Sequence, residues 1–218
     1  MGVGHAVLVA VAKVDASAYG DDWRGGAEGT EESAGLVHDM LAARFPAGNL
    51  HRLYTRDATC AAVRERVEAL GAAEGDLVVL YLTCHGGHRT LSGRREQALY
   101  LRDRKLGVSE LATLVERLPC RCVVIADACH TRDPPRTAAP REMAGGEREL
   151  LYYGAAVGPT DGNLFTRLLT ELAPTAANYR ELATHLQAAA RASGGLQEPV
   201  FYGHGASGSF LGSRPFAI

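Results

Sequence analysis

The sequence predicts an α/β sandwich on a mostly parallel central sheet. Three observations carry this reading. Short runs rich in valine, leucine and isoleucine alternate with stretches of helical periodicity along the chain. The runs around Leu77, Val78, Val79 and Leu80 and around Val123, Val124 and Ile125 are apolar almost throughout. They therefore read as central strands covered on both faces. Of 218 residues 46% are apolar and the net charge is only -2, which is too apolar and too neutral for a disordered chain. A chain of this length buries roughly two-thirds of its unfolded surface, so it needs no disulfide or metal to hold together. Strand and helix in alternation imply parallel pairing through right-handed crossovers.

Residues 6–14 are dense in valine and form the first strand. A glycine- and acid-containing loop, 15–29, follows. A helix over 30–45 places Ala34, Val37, Met40 and Leu41 on one face, with Thr30 as cap and Glu31 and Glu32 in the first turn. Pro46 and Gly48 stop it, and 49–54 is a second strand. Thr59 caps a helix carrying Val63, Val67 and Leu70, which ends near Gly71. Strands follow over 76–83 and, more briefly, 97–101. Ser109 caps a helix with Leu111, Leu114, Val115 and Leu118 inward, and 121–127 is the next main strand. Residues 132–148 have three prolines, adjacent glycines and no period, and read as an exposed loop. Strand 150–157, helix 163–172, a helix opened by Asn178 with Glu181 as its reciprocal cap, and strand 199–203 complete the chain. One domain over 1–218 is expected.

Composition narrows function. With 23 basic against 25 acidic residues, the chain lacks the basic excess that a nucleic-acid backbone demands. No apolar stretch reaches membrane-spanning length, and the first residues read as a strand rather than a signal peptide. Five cysteines, an odd number, suit reduced thiols in a cytoplasm. The question is then whether one of them is reactive.

In parallel α/β folds function gathers beyond the carboxyl ends of the strands. Two such ends are chemically loaded. One is Thr83-Cys84-His85-Gly86-Gly87-His88, the other Asp127-Ala128-Cys129-His130. On neighbouring strands, the His85 imidazole would hold the Cys129 thiol as thiolate or take its proton. Gly86 and Gly87 would let backbone N–H groups face the cleft with no Cβ in the way, as donors to an oxyanion. A lone Cys or His at a strand end is more often a packing or loop residue. On pattern alone the pair leaves both readings open.

These motifs resemble the caspase–metacaspase superfamily of cysteine peptidases. His85-Gly86 after a hydrophobic strand is similar to the family's catalytic His-Gly pair. Asp127-Ala128-Cys129-His130-Thr131-Arg132 is similar to the Asp-x-Cys-x-Ser-Gly run of the metacaspase branch. The spacing of 44 residues (129 minus 85) is near the figure of about 50 for caspases. The run 161–166 and the Gln197-x-Pro199 segment resemble later parts of the same fold, so the likeness covers nearly the whole chain. The departures are Thr131-Arg132 in place of Ser-Gly and Glu32-Ser33 in place of an Asn-Asp pair.

The resemblance implies a caspase-like three-layer sandwich and a cysteine endopeptidase working through an acyl-enzyme. Cys129 is then the nucleophile and His85 the base and later the acid. The N–H groups of Gly86 and Cys129 form the oxyanion hole. Asp127 receives a basic side chain before the cut, Arg preferred over Lys, with Glu32 the second candidate pocket acid. Arg132, Arg136, Arg141 and Arg148 become candidate self-cleavage sites in a loop that sits where caspases are divided. The implied partners are a polypeptide substrate and a sensor or activator on another chain or domain. Calcium as an activator is allowed by the family. Asp15, Asp21, Asp22, Asp57, Asp76, Asp103 and Asp133 are available to it, but form no defined calcium loop. Two rivals remain. One is a catalytically inactive caspase-like binding module. The other is a zinc protein using four of Cys84, His85, His88, Cys129 and His130, a set whose spacing matches no zinc signature.

Overall fold

A computed structural model describes residues 2–19, 26–131, 149–155, 163–194 and 197–218. The predicted sandwich is present. Parallel strands β1 (Gly4–Ala10), β2 (Leu50–Tyr54), β3 (Leu77–Thr83), β7 (Arg121–Asp127) and β8 (Leu150–Gly154) pair in the order β2-β1-β3-β7-β8. Strand β9 (Val200–His204) closes the β8 side antiparallel. Every residue of β1 and β3 is buried, which is why these runs carry no polar alternation.

Strand alternation sorts the core into two layers. Val79, Tyr81, Val123 and Ile125 face helices α2 (Thr30–Ala42), α5 (Leu164–Leu172) and α6 (Tyr179–Ala192). Val78, Leu80, Leu82 and Val124 face α3 (Cys60–Glu68) and α4 (Val108–Val115). Caps follow the sequence in part. Thr59 accepts from the Ala62 N–H at 3.1 Å, and Asn178 from the Glu181 N–H at 2.9 Å. Thr30 lies inside α2, whose cap is Gly29, and its hydroxyl donates instead to the Ala27 carbonyl. Helix α4 begins one residue before Ser109, whose N–H is held by Glu96 at 3.1 Å. The first strand stops at Ala10 rather than residue 14. The short helices α1 (Ala16–Tyr19) and α7 (Gly208–Gly212) had no periodic signal, being too brief to show one.

The largest departure lies after β3. The expected glycine-opened loop is a strand, β4 (His85–Leu91). It pairs antiparallel with β5 (Arg94–Tyr100), and β5 with β6 (Lys105–Gly107), to form a second sheet. Ser92 and Gly93, at φ 50 and 76, make the two-residue turn whose twist suits a hairpin. Polar side chains hid these strands from a hydrophobic reading. One face is a charged network: Arg89 pairs with Glu96 at 2.7 Å and with Glu110, which Arg104 also holds at 3.0 Å. Although partial burial opposes it, hydrogen bonding and attraction from Arg104 and Arg89 lower the Glu110 carboxyl to about 2.

Candidate active site

Register brings the two loaded segments together. Thr83, the last residue of β3, pairs with Asp127, the last of β7, so the chain leaves two adjacent strands at the same level. His85 follows one and Cys129 the other. Their main chains lie against each other. A Cβ on Gly86 would overlap the Cys129 carbonyl oxygen, and would lie 2.7 Å from its carbonyl carbon and 3.0 Å from its amide nitrogen. Only glycine admits this approach. Gly86→Ala is expected to cost roughly 1–3 kcal/mol of stability by overpacking and to separate the two segments. A thermal melt and a turnover assay on this variant check both effects.

The His85 ring is oriented by a residue the sequence did not suggest. Its Nε2 lies 2.9 Å from the carbonyl oxygen of Gly26. A carbonyl only accepts, so Nε2 carries the hydrogen and Nδ1 is the basic nitrogen of the neutral ring. No side-chain motif signals a backbone acceptor 59 residues away.

Cys129 differs from the other cysteines in exposure. It is half-buried, whereas Cys60, Cys84, Cys120 and Cys122 are buried. Burial pushes the Cys60 and Cys84 thiols up to about 12, Cys120 to about 11, and Cys122 well above its ordinary range. His130, at φ 55, takes the left-handed conformation directly after Cys129 and turns the chain there. The buried Thr131 hydroxyl donates back to the Ala128 carbonyl at 3.1 Å. Tyr152 on β8 donates to the Thr131 carbonyl at 3.1 Å. Thr131 thus serves as a structural hydroxyl behind the turn.

Asp127, at the end of β7, is buried, with the residue only 5% exposed. Thr166 in the first turn of α5 donates to Asp127 Oδ2 at 2.5 Å, and the Tyr81 hydroxyl lies 2.6 Å from the Thr166 hydroxyl. Burial raises the Asp127 carboxyl to about 6, although the Thr166 and Tyr81 hydrogen bonds oppose the rise. A polar cluster of Asp127, Thr166 and Tyr81 therefore lines the α2–α5 side of the sheet at the end of β7. Tyr81 was its visible trace, a hydroxyl inside an otherwise apolar strand; Thr166 had none. Glu32 is exposed in the first turn of α2, next to buried Ser33.

Arg132, Arg136, Arg141 and Arg148 lie outside the described residues, as do Asp21, Asp22 and Asp133. Among the described residues no three His, Cys, Asp or Glu side chains are placed to share a metal ion. Asp76 and Asp103 accept from main-chain N–H groups, of Val3 and Ala73 and of Cys60 respectively. No helix of the described residues is long and apolar enough to cross a membrane.

No family model and no curated protein matches the sequence. Solved structures do match the fold. The protein GSU0716 from Geobacter sulfurreducens superposes with a TM-score of 0.79 at 21% identity, covering 99% of both chains. Caspase-1 from Spodoptera frugiperda superposes at 0.61 with 14% identity, over 92% of this chain and 86% of that one. The structure of pro-Sf-caspase-1 gives 0.60 at 14% identity, over 92% and 91%. At these identities the likeness speaks for architecture: a parallel sheet between two helical layers, with a small antiparallel sheet after β3, is a caspase-like fold.

Proposed function

We propose that the protein is a cysteine endopeptidase that cuts after arginine, and less readily after lysine, through an acyl-enzyme. The observation that supports this reading is the packing of Gly86, the residue after His85, on the main chain of the half-buried Cys129. The Cys129 thiolate attacks the scissile carbonyl. His85 Nδ1 takes the thiol proton and returns it to the leaving amine. Water then cleaves the thioester and regenerates the thiol. Antiparallel pairing supports Gly86 as an oxyanion donor. The tight turn makes Leu91 and Arg94 a hydrogen-bonded pair. Counting back by twos makes Gly86 and Leu99 a non-hydrogen-bonded pair, so the Gly86 N–H is directed away from β5. The Cys129 N–H is its partner in the hole, and losing one such donor typically costs about 3 kcal/mol.

Asp127 supplies the charge that selects a basic side chain, with Glu32 as the second candidate acid. The arginines of 132–148 offer the enzyme its own chain as a substrate. Calcium and a sensor chain are candidate activators. The test uses matched fluorogenic peptides ending in Arg, Lys or Asp, with and without calcium. The expected order is Arg above Lys, with no cleavage after Asp. Turnover after Asp would overturn the specificity. Silence from the folded protein under every condition would favour the inactive binding module.

A further inference from the structure

The small sheet has a second face that the mechanism above leaves unused. Side chains alternate along β4 and β5, so Gly86, His88 and Thr90 share a face with Leu99, Gln97 and Arg95. This is the face that Gly86 turns to Cys129. The charged network of Arg89, Glu96 and Glu110 occupies the other. The His88 ring lies 5.6 Å from the ring of His130, the residue after Cys129. Arg95 Nη2 lies 3.2 Å from His88 Nδ1. A guanidinium only donates, so His88 Nδ1 accepts and its Nε2 carries a hydrogen. Two imidazoles and a guanidinium thus gather at the residue that follows the nucleophile, and that face of β4 and β5 carries no carboxylate.

Their position relative to Asp127 matters. Tyr81 and Thr166 hold Asp127 on the α2–α5 side of the main sheet. Leu99 and Leu106 of the small sheet pack on the opposite, α3–α4 side. A peptide crossing Cys129 with its basic side chain toward Asp127 would leave toward β4. We infer that the leaving side of this site takes an acidic side chain, at the first or second residue after the cut, held by Arg95, His88 and His130. The inference rests on the proposed peptidase activity and names its substrate more closely: a basic residue followed by an acidic one. The chain's own sequence agrees. Arg132, Arg141 and Arg148 are followed by Asp133, Glu142 and Glu149, so three of the four loop arginines precede an acid, against five of seventeen elsewhere.

The test compares quenched peptides that span the cut, identical except for Asp, Asn or Lys after the arginine. A short arginine substrate with only a fluorophore on its leaving side is run in parallel. The Asp peptide should exceed the Asn peptide by about five- to tenfold in kcat/KM, the excess of a charge-assisted hydrogen bond over a neutral one, and Lys should be slowest. Arg95→Gln, at an exposed site, and His130→Asn, which tolerates positive φ, should each bring the Asp-to-Asn ratio toward one. Equal rates for Asp and Asn, or preference for Lys, would overturn the inference while cleavage of the short substrate left the peptidase reading standing. A ratio unchanged in both variants would overturn it as well. Failure to cleave even the short substrate would instead sink the peptidase reading beneath it.

Discussion

Cys129→Ala is expected to lower turnover of arginine peptides by at least about a thousandfold with no loss of fold. The same residue should be the only one alkylated by iodoacetamide in the native protein. The physical reason is a contrast in environment. Cys60 and Cys84 are buried and raised to about 12, which leaves roughly one thiol in ten thousand ionised near pH 8. Cys120 and Cys122 are buried and raised too. Cys129 alone is half-buried, at a turn against the His85 strand. Peptide mass mapping after brief labelling, with His85→Ala beside Cys129→Ala, checks both claims. Labelling at a second cysteine in folded protein, or turnover surviving in Cys129→Ala, would remove Cys129 as nucleophile.

Asp127→Asn is expected to separate stability from activity. If Asp127 selects the basic side chain as proposed, cleavage after arginine should fall about a hundredfold, because the charge is lost while the shape is kept. The protein should at the same time melt higher at neutral pH. In the fold this carboxyl titrates near 6 instead of its ordinary 3.8. Between those values the folded protein holds a proton that the unfolded chain has released. Its contribution is therefore largest at low pH and is lost as pH rises from about 4 through 6. Above that window a buried charge persists at a cost on the order of 2–3 kcal/mol. Asparagine cannot ionise and still accepts from Thr166, so the variant should gain a few degrees in Tm at pH 7.5 and no advantage at pH 4. Melting curves at the two pH values, with the peptide assay, decide it. Wild-type cleavage after arginine in Asp127→Asn would reduce Asp127 to a carboxylate that holds the start of α5. A melt unchanged at both pH values would show that the acid is solvated.

Much of the architecture was legible in the residues. The apolar runs of β1, β3 and β7 announced strands buried on both faces, because a covered parallel strand has no solvent side to mark with polar residues. The helix faces of Val37 and Leu41 and of Leu111 and Leu114 followed from the helical period. Order along the chain and the position of strand ends picked out His85 and Cys129 as residues to examine together.

Other features came into being only when the chain packed. The strand at His85 was invisible because glycine, histidine and arginine satisfy each other across β4 and β5 rather than in a core. The Gly26 carbonyl belongs to the backbone, which every residue carries, so no side chain advertised it. The state of Asp127 was undetermined by its place in the motif. Two residues before Cys129 it shares the alternation of the strand, but burial and the hydroxyls of Thr166 and Tyr81 arrive from distant elements. The sequence by itself determined which groups stand at which strand ends, since periodicity and chain order are local properties. Tertiary structure alone decided which of them touch, how deeply each charge is buried and which ring nitrogen is basic, because those depend on distance and solvent exclusion between segments far apart in the chain.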